Sequence, residues 1–200
     1  SEKSIEEQCN RLKKMDHSYG LLVRYAMKAN SNRSLLQLIR ENGLGFEMSS
    51  IYEVKRALLA GISAADMLLT SQDVLGSTDF SELLRLMSEG LSYTVCSLTQ
   101  LKKAGPAAAE RSLPLSLRIH PGIGSGETES RNTGGLYAGF GVQENNLDQV
   151  LNTARHMGVR FGRIHVHIGS GSDPRVWKQN VKKTLALVEE KMEDVTIVNL

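Results

Sequence analysis

At 200 residues the chain is long enough to bury a sizeable core and is about the size of one domain, residues 1–200. Apolar residues make up 40% and charged residues 23%, an ordinary globular balance. A formal net charge of +2 is too small to point to a nucleic-acid or membrane partner, and the longest apolar runs, such as Ala57 to Ile62, are far too short to span a bilayer. The opening Ser1-Glu2-Lys3-Ser4-Ile5-Glu6-Glu7 is acidic and polar where a signal peptide is basic and then apolar. Two cysteines, Cys9 and Cys96, make no disulfide framework. Both are expected to be reduced, in a cytoplasmic protein.

Short β-rich runs alternate with helical patterns. Leu21 to Lys28 is predicted as a strand, Leu35 to Asn42 as a helix ended by Gly43, Gly45 to Ser49 as a short strand, and Ile51 to Ala60 as a helix stopped by Gly61. Met67 to Ser71 reads as a strand, Phe80 to Glu89 as a helix stopped by Gly90, Tyr93 to Ser97 as a strand and Leu98 to Ala104 as a short helix. Strands follow over Leu115 to His120 and Ile164 to Ile168, and helices over Leu147 to Met157 and Val176 to Lys191. Thr196 to Leu200 opens another strand. These assignments rest on hydrophobic periodicity and on glycine as a stop signal.

Strand centres recur roughly every 20 to 25 residues, the size of one strand-helix unit. One interval is longer, because a Gly-rich stretch from Pro121 to Gly141 follows the fifth strand. Serial βα units imply an α/β fold with a parallel sheet covered by helices. An open doubly wound sheet fits that pattern as well as a closed barrel. The polar residues favour the barrel. They cluster at many strand C-terminal ends: Lys28 and Asn30, Glu47 and Ser49, Thr70 and Ser71, Arg118 and His120, His165 and His167. Barrel enzymes build their sites there, whereas an open sheet concentrates its site at one switch point. A complete (β/α)8 TIM-type barrel needs about 250 residues, so the expectation is a barrel incomplete at both ends.

Four segments could carry chemistry. Lys28 shares a strand face with the small Ala26. A lysine inside a barrel is costly unless paired, neutral or modified, and a neutral amine is the nucleophile that Schiff-base chemistry needs. The alternative is a lysine just past the strand end, reaching solvent. His165 and His167 lie two apart on a strand, a spacing that also suits a metal pair with His120 or Glu47 as a third ligand; satisfied core histidines are the plainer reading. Gly169-Ser170-Gly171 follows, where backbone N–H groups could approach a phosphate, or simply turn the chain. Arg118 and His120 share a face at a strand end and open a long polar, Gly-rich loop, a kind that is usually functional or disordered. Ser50 caps the next helix in the preferred reading, with Glu53 as its capping-box partner.

Together these segments resemble the fold-type III pyridoxal-phosphate decarboxylases. Tyr25 to Asn30 match the signature Tyr-Ala-x-Lys-Ala-Asn, and Gly43 to Ser50 resemble the segment Gly-x-Gly-Phe-Asp-x-x-Ser. Gly124 to Val142 resemble the Gly-Ser-Gly, Thr-Gly and Phe-Gly loop typical of the diaminopimelate decarboxylases, and His167 to Gly171 match His-Ile-Gly-Ser-Gly. The resemblance implies an alanine racemase-like barrel that binds pyridoxal 5'-phosphate, with no metal. Lys28 would hold the cofactor, His167 would stack on its ring, and Gly169, Ser170 and Gly171 would hold the phosphate. Arg118 would sit beside the ring near O3′. Glu47 stands where the family has Asp, and its extra methylene moves the carboxylate by about 1 Å or more.

The implied reaction is decarboxylation of a basic amino acid, meso-diaminopimelate above all, in a homodimer with shared active sites. The family continues past the position of Leu200 into a Gly-rich phosphate segment, an acid for the pyridine nitrogen and a C-terminal β domain, so the 200 residues alone are expected to be inactive. Three other readings are an ornithine, arginine or carboxynorspermidine decarboxylase, a non-catalytic single-barrel pyridoxal-phosphate-binding protein, and a metal hydrolase using His120, His165 and His167.

Overall fold

The computed structural model describes residues 1–124, 134–135, 138–169, 171 and 173–200. The chain divides into two compact units, Ser1–Tyr93 and Thr94–Leu200.

The first unit opens with helix α1 (Glu2–Lys13), then runs β1 (Arg24–Ala26), α2 (Arg33–Glu41), β2 (Gly45–Met48), α3 (Ile51–Leu59), a 3₁₀ turn (Ala64–Asp66), β3 (Met67–Thr70) and α4 (Ser77–Ser88). β1, β2 and β3 are parallel neighbours, with Tyr25 opposite Phe46 and Phe46 opposite Met67. Along β2, Phe46 and Met48 are buried while Gly45 and Glu47 are half-buried, the period of two of a pleated strand. Every residue of β3 is buried. Helix α3 buries Ile51, Val54 and Ala57, one turn apart. Its cap is Ser50, whose hydroxyl accepts from the Glu53 N–H. Glu53 reaches back one residue further than a capping box would, to the Ser49 N–H at 2.7 Å. Phe46, Leu36, Leu83 and Leu86 are fully buried, and each side chain of this size stabilises the fold by about 1.5–3 kcal/mol.

The second unit begins within β4 (Ser92–Val95), then runs α5 (Leu98–Glu110), β5 (Leu115–Arg118), α6 (Glu144–His156), β6 (Phe161–His165), α7 (Pro174–Lys191) and β7 (Ile197–Asn199). β4 to β7 are parallel neighbours in chain order. Among the described residues no helix is long and apolar enough to cross a membrane.

The polar segment at the N-terminus, for which no element was predicted, forms α1, in which only Cys9 is buried. Three expectations change. β1 is three residues long rather than eight: Leu21 and Leu22 are exposed, and the chain turns at Met27, where the Ala29 N–H donates to the Ala26 carbonyl at 3.1 Å. Helix α5 does not stop at Ala104 but runs through Gly105 and Pro106 to Glu110. A Cβ on Gly105 would stand 3.0 Å from Met157 Sδ and 3.3 Å from a Val159 methyl, so this glycine serves close packing, not termination. β6 is centred earlier than Ile164–Ile168, leaving His167 beyond its end.

Candidate functional site

In the first unit the polar residues gather at strand C-terminal ends. Lys28 lies two residues past β1, exposed, in the turn just described. Two bonds shape that turn: the Ala29–Ala26 backbone bond and the Tyr25 hydroxyl, which donates to the Asn30 carbonyl at 3.0 Å. Burial pushes the Tyr25 phenol above its ordinary value, partly offset by that hydrogen bond, so it remains a donor through neutral pH. The Met27 N–H donates to the Glu47 carbonyl at 2.9 Å, which ties the turn to β2. Glu47 is half-buried and its Oε1 accepts from the Thr70 hydroxyl at 3.1 Å. Lys28 has no carboxylate partner among the described residues. The shared strand face for Ala26 and Lys28 is therefore corrected to a strand end and a turn.

In the second unit Arg118 is buried as the last residue of β5. The chain then leaves at Pro121 and returns at Phe140. On its return it pairs with the strand it left: the His120 N–H donates to the Val142 carbonyl at 2.8 Å, and the Val142 N–H to the Arg118 carbonyl at 2.9 Å. Gly141 makes this approach possible. Its φ is +85°, and a Cβ there would stand 3.0 Å from the Arg118 carbonyl oxygen and the Ile119 carbonyl carbon. The return brings the Phe140 ring to 5.1 Å from the Arg118 guanidinium carbon, within cation–π range.

His120 is buried, and its Nδ1 accepts from the Gly122 N–H at 3.1 Å. Its Nε2 is buried with no hydrogen-bond partner among the described residues.

His165, the last residue of β6, is buried, and its Nδ1 lies 2.8 Å from Asn199 Nδ2 of β7. His167, two residues on, is half-buried. Gly169 follows with φ +105°, and the carbonyl of Gly171 accepts from the Trp177 indole N–H at 3.1 Å. Ser170 lies outside the described residues, as does much of the Gly124–Val142 motif. The N-terminus of α7 is capped by Asp173, whose carboxylate accepts from the Arg175 N–H. Hydrogen bonds from Arg175 hold that carboxyl below its ordinary value.

The structure thus places Lys28 and Glu47 together at strand ends of one unit. It places Arg118, His120, His165, His167, Gly169 and Gly171 at the ends of the adjacent β5 and β6 in the other. Sequence reasoning did not find Phe140 as the neighbour of Arg118, nor Asn199 as the partner of His165. The first is separated from Arg118 by a long loop; the second had no motif around it. No group of three or more His, Cys, Asp and Glu side chains among the described residues could hold a metal.

In the first unit, the Lys28 amine, with no carboxylate partner among the described residues, suits an aldehyde. In the second unit, the half-buried His167 imidazole suits an aromatic ring face, and Gly169 in the left-handed region suits close backbone approach to an anion.

Comparison with known proteins agrees. The family model described as "Pyridoxal-dependent decarboxylase, pyridoxal binding domain" matches residues 2–198. The chain is similar to the diaminopimelate decarboxylase of Streptomyces coelicolor, at 33% identity over 85% of this chain and 37% of that protein. It is similar to the Escherichia coli enzyme of that name at 31% identity, over 84% of this chain and 39% of that one. A crystal structure of diaminopimelate decarboxylase matches with a TM-score of 0.84 at 28% identity, over 98% of this chain and 45% of that one. The Helicobacter pylori enzyme complexed with L-lysine matches with a TM-score of 0.78 at 26% identity, over 94% and 49%. The chain spans about two fifths of the length of the curated relatives it matches. The expected α/β fold is that of a pyridoxal-phosphate decarboxylase barrel domain. With its match over residues 2–198 and that shared fold, this chain belongs to the pyridoxal-binding domain family of the pyridoxal-dependent decarboxylases, whose cofactor is pyridoxal 5'-phosphate.

Proposed function

We propose that the full-length protein decarboxylates meso-diaminopimelate to L-lysine with pyridoxal 5'-phosphate, and that residues 1–200 form its cofactor-binding barrel portion. The observation that carries this reading is Lys28. It is an exposed amine in a two-bond turn past β1, within a chain matched end to end by a pyridoxal-binding family model.

Bound pyridoxal phosphate supplies an electron sink for the pair left behind when a carboxylate departs. Lys28 would hold the cofactor through its amine. His167 would stack on its ring. Arg118, kept in place by Phe140, would sit beside that ring. Gly169, Ser170 and Gly171 would take the phosphate, since the end of α7 already has the Asp173 carboxylate. Glu47, its Oε1 held by Thr70 and its carbonyl by the Met27 N–H, stands beside the turn of Lys28, at the position where the family has Asp. The α-carboxylate leaves as carbon dioxide, and one proton replaces it on the same carbon.

The substrate assignment rests on the curated relatives, which are named diaminopimelate decarboxylase. It also rests on the Helicobacter pylori enzyme being complexed with L-lysine, the product that loss of one carboxylate from meso-diaminopimelate leaves. Ornithine and arginine decarboxylases match below 25% identity and support the fold alone. The full-length protein is proposed to act in the cytoplasm as a homodimer with shared active sites. The test is carbon dioxide release by the full-length enzyme from meso-diaminopimelate, L-ornithine and L-arginine. Preference for meso-diaminopimelate is expected; preference for either of the others overturns the substrate.

A further inference from the structure

Lys183, on α7, has no part in the chemistry proposed above. Its Nζ donates to the Pro121 carbonyl at 3.0 Å and to Glu144 Oε2 at 2.8 Å. Pro121 is where the chain departs after β5, and Glu144 is the first residue of α6, two residues past the Val142 pairing. One ammonium group therefore holds both ends of the same excursion. The same Nζ would lie 3.6 Å from a Cβ placed on Gly122, so it sits directly against the turn that His120 Nδ1 also accepts from. Beside it is a small cavity of about 20 Å³ lined by His120, Pro121, Val142, Glu144 and Thr184 among others, so these groups meet in one place.

The two bonds differ in weight. Glu144 is 69% and Lys183 45% exposed in their side chains, and an ion pair that open to water contributes little. The bond to the Pro121 carbonyl is part-buried, where a charge-assisted hydrogen bond is stronger. A hydrogen bond from Lys183 also holds the Glu144 carboxyl below its ordinary value, with the ammonium charge adding to it.

We propose that Lys183 is a positioning residue for Arg118. It fixes the ends of the excursion so that Phe140 to Val142 stay paired with the end of β5 and the Phe140 ring stays on the Arg118 guanidinium. The link to the cofactor rests on the reading that Arg118 lies beside the pyridoxal ring.

The experiment compares full-length wild type with Lys183→Met, Lys183→Arg and Glu144→Gln. It measures amide hydrogen exchange at His120, Val142 and Ile119, and the Kd for pyridoxal phosphate by absorbance titration. The Ile119 N–H donates to His165 in the β5–β6 ladder and serves as the internal control. Lys183→Met is expected to speed exchange at His120 and Val142 about tenfold, to leave Ile119 unchanged and to raise Kd about fivefold. Lys183→Arg, which keeps the donors, is expected to restore most of both, and Glu144→Gln to change either by less than about twofold. Unchanged exchange in Lys183→Met, equal acceleration at Ile119, or faster exchange with no change in Kd would each overturn the proposal. Wild type that binds no pyridoxal phosphate refutes the functional reading instead, and the exchange data then decide the clamp on their own.

Discussion

Arg118 and Phe140 are 22 positions apart in sequence, yet the guanidinium carbon lies 5.1 Å from the ring centroid. Phe140 is partly exposed while Arg118 is buried, so the ring covers a cation that would otherwise face the open strand end. A cation–π contact with a partly exposed ring is worth about 1 kcal/mol. Phe140→Ala in the full-length enzyme is expected to raise the Kd for pyridoxal phosphate about fivefold. Absorbance titration checks it, and Phe140→Tyr, which keeps the ring, should stay near wild type.

Gly141 carries the backbone that makes this contact. Alanine there would meet the Arg118 carbonyl oxygen and the Ile119 carbonyl carbon at 3.0 Å with φ at +85°, and neither a rotamer change nor a flexible neighbour can relieve that. Gly141→Ala is expected to cost about 1–3 kcal/mol of stability, read as a lower thermal midpoint, and to weaken cofactor binding with it. A variant as stable as wild type would show that the β5 pairing of Val142 is not maintained.

His165, the last residue of β6, and His167, two residues past it, should separate by readout. His165 is buried and hydrogen-bonded to Asn199, so His165→Ala is expected to lower stability by about 1–3 kcal/mol and cofactor affinity much less. His167→Ala is expected to reverse that pattern, losing affinity and turnover with little loss of stability. Thermal unfolding and cofactor titration on both variants settle the assignment. Greater loss of affinity in His165→Ala would mean that the wrong ring is credited with stacking.

Tyr25 holds the turn of Lys28 through one hydroxyl. Tyr25→Phe removes the bond to the Asn30 carbonyl and leaves the ring edge-on to Phe46, whose centroid lies 6.5 Å away. A single hydrogen bond of this sort is worth about 0.5–1.5 kcal/mol. Cofactor affinity should therefore fall by about two- to tenfold, with the fold intact by circular dichroism. An unchanged Kd would separate the turn geometry from cofactor binding.

Much of this was legible in the residues. The stops at Gly43, Gly61 and Gly90 fall where φ is +76°, +84° and +106°, and the amphipathic periods of α2, α3 and α4 marked their helices. Lys28, Glu47, Arg118 and His167 lie at or just past strand ends because polar residues interrupt buried apolar runs there. Three things were not legible. Helix α1 buries only Cys9, so it left no apolar stripe to read. Gly105-Pro106 looked like a break because the packing partners that favour glycine there, Met157 and Val159, are some fifty residues away. The return of Phe140 to Arg118 and the bond from His165 to Asn199 are tertiary pairings, set by sheet register rather than by local pattern.

The central claim is that the Lys28 amine carries the cofactor. Full-length protein loaded with pyridoxal phosphate, reduced with borohydride, digested and mapped by mass spectrometry tests it directly. A pyridoxyl group on Lys28, and its loss in Lys28→Ala, is the expected result. A pyridoxyl group on any other lysine, or none at all under conditions where the cofactor is bound, would contradict the account.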